Sequence, residues 1–204
     1  MFIELIELLR CPAAHEESWL VAAFGRMDGR FVIEGKLGCP VCSCTFPIVE
    51  GVARFSEIPV EAHAGDTHAT NDETIRTAAL LGLTRAGATI VMEGPDAATC
   101  AAVAEMTEAR AFVVNGFSAR RNERVGIVTA AERLPFPSHA VDGVVLTSPS
   151  GPRLEEAARI LKPGGRLVAA HDVNVSPHFR ELARDDRNVV GEAVGPLVSL
   201  SRQS

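Results

Sequence analysis

Apolar and polar positions follow different rhythms along this chain, and each rhythm predicts a different kind of element. The unbroken apolar run Val141 to Leu146 suits a strand buried on both faces. Leu154, Ala157, Ala158 and Leu161 then recur at helical spacing, with Glu155, Glu156 and Arg159 on the wet side. Pro163 and Gly164-Gly165 are expected to stop that helix and turn the chain into the strand Arg166 to Ala170. Strand, helix and strand in this order predict a right-handed parallel crossover.

Upstream, Glu73 to Leu83 reads as a helix, Ala88 to Met92 as a strand and the stretch through Glu108 as a second helix. Strands are predicted at Ala111 to Val114 and Val125 to Ala130. Only Gly116 to Arg124 separates these two, too little for a full crossover helix. Downstream, His178 to Arg184 suits a helix, and Asn188 to Val194 with Leu197 to Ser201 suit a closing hairpin.

The first 55 residues follow another rhythm. Phe2 to Leu9 forms a short apolar helix, and two strand-like runs, Trp19 to Met27 and Arg30 to Leu37, meet at Asp28-Gly29. That dipeptide favours a two-residue hairpin turn, because both positions tolerate positive φ. Thr45 to Phe55 reads as one further strand.

A chain of 204 residues has room for a small domain beside a medium one. The boundaries fall at residues 1–56, a polar linker at 57–72 and an α/β domain at 73–204. His63, Asp66 and His68 lie in the linker and are read as solvated rather than as a metal site. Hydrophobic residues make up 47% of the chain, yet no uninterrupted apolar stretch approaches the roughly 18 residues of a membrane helix. The first residues carry Glu4 and Glu7 where a signal peptide would carry bases, so a cytoplasmic location is expected. Net charge is −6, and the local basic cluster Arg120, Arg121 and Arg124 is broken by Glu123, which disfavours a nucleic-acid partner.

Charge says little about chemistry; the cysteines say more. Four of the five, Cys11, Cys39, Cys42 and Cys44, lie in the first quarter of the chain. Clustering in an intracellular chain points to metal more than to disulfides. Cys39-Pro40-Val41-Cys42 is a zinc knuckle, whose spacing aims two thiolates at one tetrahedral ion. The hairpin can return Cys39 close to Cys11. His15 is the next donor within reach, so the expected set is Cys11, His15, Cys39 and Cys42. Cys44 in place of His15, or a ribbon without metal, are the alternatives.

Several spaced motifs agree at once. Ala130-Ala131-Glu132-Arg133-Leu134-Pro135-Phe136, the strand from Val141 and Leu161-Lys162-Pro163-Gly164-Gly165 resemble the class I S-adenosylmethionine-dependent methyltransferases, over roughly residues 73 to 204. Leu8 to Pro12, the knuckle and Phe46 to Val52 resemble the small zinc ribbons that activate tRNA and release-factor methyltransferases as separate subunits. Together the resemblances imply a compact Rossmann-like methyltransferase fold with an N-terminal zinc-ribbon β domain.

The first resemblance also implies a cofactor site, of which Gly94, Asn115 and Glu132 remain, while its acid falls at Met92, or at Glu93 if the register slips by one. Of the family's three glycines only Gly94 is present, with Asp96 and Ala98 at the other two positions. Asp96 reads as a helix cap. Asn115 stands where the family grips the ribose with an acid, and Ala130 where an acid contacts the adenine amine. Ser148-Pro149-Ser150 lacks the acid and aromatic of amine methyltransferases, and His171 reads as a loop residue. Two functions follow as expectations. One is a degenerate methyltransferase-like protein that scaffolds a protein partner or self-associates, with Phe46, Ile48, Val52 and Phe55 supplying either apolar contacts to it or the ribbon's own small core. The other is a working enzyme with an atypical S-adenosylmethionine pocket.

Overall fold

Residue alternation along the central strands explains the architecture. In β5 (Thr89–Glu93), Ile90 and Met92 face one core while Val91 faces another. In β6 (Arg110–Val114), Ala111 and Val113 share the first side, and Phe112 and Val114 the second. A strand that buries both faces needs cover on both, and its two-residue period distributes side chains evenly between them. The computed structural model describes residues 1–57, 70–94, 97–116, 121–175 and 177–195.

The helices α2 (Asn71–Leu81) and α3 (Ala97–Thr107) cover one face through Leu81, Cys100, Val103 and Ala104. Thr70 caps α2, accepting from the Glu73 N–H, and Gly82 ends it in the left-handed conformation. The other face is covered by α1 (Ile3–Ile6), by α4 (Gly151–Ile160) and by Leu134 and Phe136. Phe112 and Phe136 meet edge to face there, with ring centroids 4.9 Å apart.

The remaining strands are β1 (Val21–Asp28), β2 (Phe31–Gly38), β3 (Thr45–Val49), β4 (Val52–Arg54), β7 (Val125–Thr129), β8 (Val141–Leu146), β9 (Leu161–Ala170), β10 (Phe179–Arg184) and β11 (Asn188–Ala193). All belong to one sheet, ordered β1-β2-β3-β4-β7-β6-β5-β8-β9-β11-β10. The centre, β4 through β9, is parallel, and β11 and β10 close it antiparallel. This is a mixed α/β sheet of the Rossmann-like type.

Four expectations are corrected. Thr45 to Phe55 is two strands, folded back at Glu50 and Gly51, both with positive φ (53° and 82°). Gly51 is obligatory here, since a Cβ would lie 2.5 Å from the Phe31 ring and 2.8 Å from the Met1 nitrogen. The first hairpin turns at Gly29 and Arg30, because Asp28 already pairs with Phe31. α4 ends at Ile160, and Leu161 to Gly165 are already in strand β9. Finally, Phe179 to Arg184 is strand β10, paired antiparallel with β11, so the closing hairpin is β10–β11. The segment 197–201 lies outside the described residues.

β4 also turns the N-terminal hairpins into part of the main sheet. Val52, Ala53 and Arg54 pair in parallel with Ile127, Val128 and Thr129. Ile48 and Val52 are buried, and Phe46 packs on Phe55 with centroids 4.7 Å apart. Phe46, Ile48 and Phe55 therefore pack within the chain, against the same core as Phe112 and Val128, and Val52 is buried as well.

Candidate functional site

Two regions concentrate the chemistry. The first lies where the chain leaves α1 and where β2 turns into β3. Cys11 follows the helix, its N–H donating to the Ser18 carbonyl, and this closes a loop that carries His15. The knuckle is a tight turn held by Cys39 N–H to Cys44 C=O (2.9 Å) and Ser43 N–H to Cys39 C=O (3.0 Å), with Ser43 at φ 60°. Arg10 seats the loop: its guanidinium stacks 3.0 Å from the Trp19 ring centroid, and its N–H donates to Pro135 C=O.

The donor atoms of Cys11, His15, Cys39 and Cys42 all lie within 4.8 Å of one another. Cys11 Sγ is 3.7 Å from Cys42 Sγ, and His15 Nε2 is 3.2 Å from Cys11 Sγ and 3.4 Å from Cys39 Sγ. Bond lengths of about 2.3 Å to sulfur and 2.0–2.1 Å to nitrogen give tetrahedral edges of about 3.8 Å (S–S) and 3.5 Å (S–N). These three edges are close to those values. His15 Nδ1 faces the Glu16 carbonyl, which fixes its proton there and leaves the Nε2 lone pair toward the sulfurs. Cys44 is exposed and stands outside the group.

Protonation is uneven in this cluster. The backbone N–H of Cys44 draws the Cys42 thiol down to about 6, against the effect of desolvation. Burial, with the neighbouring thiols, pushes Cys11 up to about 12. One thiolate is thus present near neutrality, while a cation would have to displace the proton from Cys11. The four side chains can hold one tetrahedral ion.

The second region is the carboxyl edge of β5, β6 and β7, where the residues assigned to a cofactor come together. Glu93 ends β5 and Asn115 follows β6 in the left-handed conformation (φ 57°), which asparagine tolerates. Asn115 Nδ2 donates to Glu93 Oε1 (3.0 Å) and to Ala130 C=O (2.9 Å), and its Oδ1 accepts from the Ala130 N–H (2.9 Å). Glu93 Oε2 pairs with Arg153 Nε at 2.8 Å.

Arg153 carried no signal in the sequence reading, yet it organises the cleft. Ser150 caps α4 by accepting from the Arg153 N–H (3.4 Å), and Pro152 sits in the first turn. This aims the Arg153 side chain across the edge. Its terminal nitrogens donate to Ala131 C=O (2.5 Å) and Glu132 C=O (3.2 Å). The ion pair is largely withdrawn from water, with side-chain exposures of 11% for Arg153 and 24% for Glu93. Gly94 (φ 101°) lies directly under Thr147, whose Oγ1 would be 2.2 Å from a Cβ there.

The polar atoms that Glu93 and Asn115 would offer a cofactor are therefore bonded within the chain. The Glu132 side chain is exposed, and only its carbonyl joins the network. Ala130 is fully buried. Asp96 lies outside the described residues, as do His63, Asp66, His68 and Arg120. Among the described residues, the side chains at this edge are thus turned toward one another rather than toward a ligand. His171 and Asp172 stand exposed in the turn after β9, where Arg184 donates to the His171 carbonyl.

No family model and no curated protein matches the chain. Several of the solved structures that resemble it are methyltransferases, and one is a [4+2]-cyclase. A phosphoethanolamine N-methyltransferase 2 of Haemonchus contortus, bound to S-adenosyl-L-methionine, is 16% identical with a TM-score of 0.43, over 48% of this chain and 27% of that one. A protein of Methanococcus maripaludis described as an S-adenosyl-L-methionine-dependent methyltransferase is 14% identical with a TM-score of 0.49, over 61% of this chain and 85% of that one. A geranyl diphosphate methyltransferase with sinefungin is 18% identical with a TM-score of 0.41, over 48% and 43%. The chain thus spans about a quarter of the Haemonchus enzyme's length.

Proposed function

We infer that this chain is a methyltransferase-like protein whose cofactor cleft is closed by its own side chains, and that it acts as a non-catalytic binding or scaffolding partner stiffened by a structural zinc ribbon. The observation that carries this reading is the Glu93–Arg153 ion pair with Asn115 bound across it. A bound S-adenosylmethionine would have to displace a partly buried guanidinium that also holds the Ala131 and Glu132 carbonyls. Breaking a desolvated ion pair on one side costs several kcal/mol, about 3–5 where burial is complete. A micromolar ligand that must meet such a cost falls to millimolar or weaker.

Zinc fits the other region. Cys11, Cys39 and Cys42 as thiolates with neutral His15 would hold it as a closed four-donor site, the pattern of structural rather than catalytic zinc. Its role here would be to clamp the loop after α1 to the end of β2.

The placement of Glu93, Gly94 and Asn115 at adjacent strand ends favours one second reading, an enzyme in which Arg153 swings aside when the cofactor enters. Calorimetric titration of the purified, zinc-loaded protein with S-adenosylmethionine separates the two. The scaffold reading expects no saturable binding tighter than roughly 100 μM. Tighter binding accompanied by methyl transfer to an acceptor would install the enzyme.

A further inference from the structure

At the opposite, amino edge of the sheet a cavity of about 670 Å³ opens between the N-terminal segment and the start of β6 and β7. Four arginines line it: Arg30, Arg110, Arg121 and Arg124. Two of them have carboxylate partners, Arg30 with Glu4 and Arg121 with Asp28. The other two do not, among the described residues. Arg110 Nη2 donates to Gly87 C=O (3.3 Å), and Arg124 Nη1 to Glu108 C=O (3.3 Å), each a neutral acceptor.

Register places these two guanidinium groups together. Ala111 stands level with Val125 in the parallel β6–β7 ladder, and the Ala111 N–H donates to Arg124 C=O (2.7 Å). Arg110 at the start of β6 and Arg124 in the turn just before β7 therefore lie side by side along the chain's backbone at this edge. Two cations side by side repel unless an anion lies between them. The Arg110 Nε–H is moreover buried without a hydrogen-bond partner. A buried donor of this kind in a folded chain calls for a water or an ion, and a charged donor favours the ion.

We propose that Arg110 and Arg124 form a binding site for a phosphate-class oxyanion, either free or as a phosphomonoester, at the edge of the sheet remote from the cofactor cleft. Each guanidinium is anchored at one nitrogen by a backbone carbonyl and lines the cavity, which leaves further donors for bidentate recognition. Glu105 and Glu123 line the same cavity. They oppose a long polyanion such as a nucleic-acid backbone, which needs an extended basic track. A compact oxyanion in direct contact with two guanidiniums is compatible with them.

The test is titration of the dialysed full-length protein with inorganic phosphate and, in a second arm, glycerol 3-phosphate, at constant ionic strength held with chloride. Saturable binding is expected for the wild type. It should weaken at least tenfold in Arg124→Gln, an exposed position where folding is retained, and again in Arg110→Gln. Arg30→Gln, whose guanidinium already pairs with Glu4, should leave it unchanged. Equal affinity in the two arms marks free phosphate as the ligand, and tighter binding of glycerol 3-phosphate marks a phosphomonoester. A phosphate response no larger than that of chloride, or undiminished binding in Arg124→Gln, overturns the site.

Discussion

The knuckle and the cleft place similar numbers of polar groups in a small space, with opposite results. At the knuckle, Cys11, His15, Cys39 and Cys42 turn their donor atoms toward a common centre, and the second nitrogen of His15 is fixed from outside. At the cleft, Glu93, Asn115 and Arg153 turn toward one another and toward the Ala130–Glu132 backbone. Side chains that converge on a point leave room for a ligand; side chains that satisfy each other take the ligand's place. The contrast also separates two kinds of information. Cysteine spacing encodes the first arrangement locally, whereas the second needs an arginine from a helix that starts at Gly151, far along the chain from Glu93 and Asn115.

The largest effect expected on either region comes from the metal. Cys39→Ser, or chelation of the wild type, should lower the melting temperature by on the order of 10 °C, since structural zinc binding is coupled to folding. Metal analysis of the same samples should fall from one zinc per chain toward none. A metal-free wild type with Cys39→Ser neutral would reduce the knuckle to a packed turn and remove the contrast.

Arg153→Ala comes next. Leaving Glu93 without its partner should cost about 2–3 kcal/mol in chemical denaturation, less than a fully buried pair because both groups retain some exposure. If the ion pair is what fills the cleft, the same variant should gain affinity for S-adenosylmethionine. A folded Arg153→Ala protein that still ignores the cofactor would shift the obstruction to the Gly94–Thr147 contact. Gly94→Ala probes that contact directly. A methyl at φ 101° and 2.2 Å from Thr147 Oγ1 should destabilise by about 1–3 kcal/mol. Pairing it with Thr147→Ala should recover only the steric part of this loss.

The smallest effect concerns Asp142, which neither region uses. Burial alone would raise its carboxyl, but hydrogen bonds from Lys162 (2.8 Å), the Thr89 N–H (2.8 Å) and Arg85 (2.8 Å) outweigh it and hold the group below the usual range. A depressed folded value contributes stability above the unfolded value near 3.9, and that contribution is lost as pH falls through the folded value. Stability between pH 6 and pH 3 should therefore fall more steeply in the wild type than in Asp142→Asn. Parallel curves would mean that the three donors add no net preference for the charged carboxylate.

Particular residues mark what the sequence made legible. The parallel strands were readable because burial on both faces leaves apolar runs such as Val141 to Leu146. α4 was readable from its spacing and overran by one residue, because Leu161 continues the apolar rhythm while its backbone is extended. β10 was read as a helix because Phe179 and Leu182 fall three apart, yet Leu182 is 40% exposed and pairing with β11 decides the conformation. The turn at Glu50-Gly51 needs a glutamate with positive φ, for which one glycine is a weak flag. At the knuckle, residue types and spacing were sufficient to name the converging donors. Arg153 looked like any solvent-facing residue of an amphipathic helix, and only the cap at Ser150 fixes where it points.

The short parallel pairing of β4 with β7 bears on how the chain reaches this structure. Val52 to Arg54 can complete their ladder only after residues 125–129 exist and have found β6. Contacts between segments so distant in sequence incur loop-closure entropy before they yield any stabilisation, and they slow folding accordingly. During synthesis the N-terminal hairpins emerge first and wait with the β4 edge unpaired, a state open to pairing with other chains. A cation at the knuckle would preset the hairpin geometry, yet the β4 edge stays open until β7 has formed beside it.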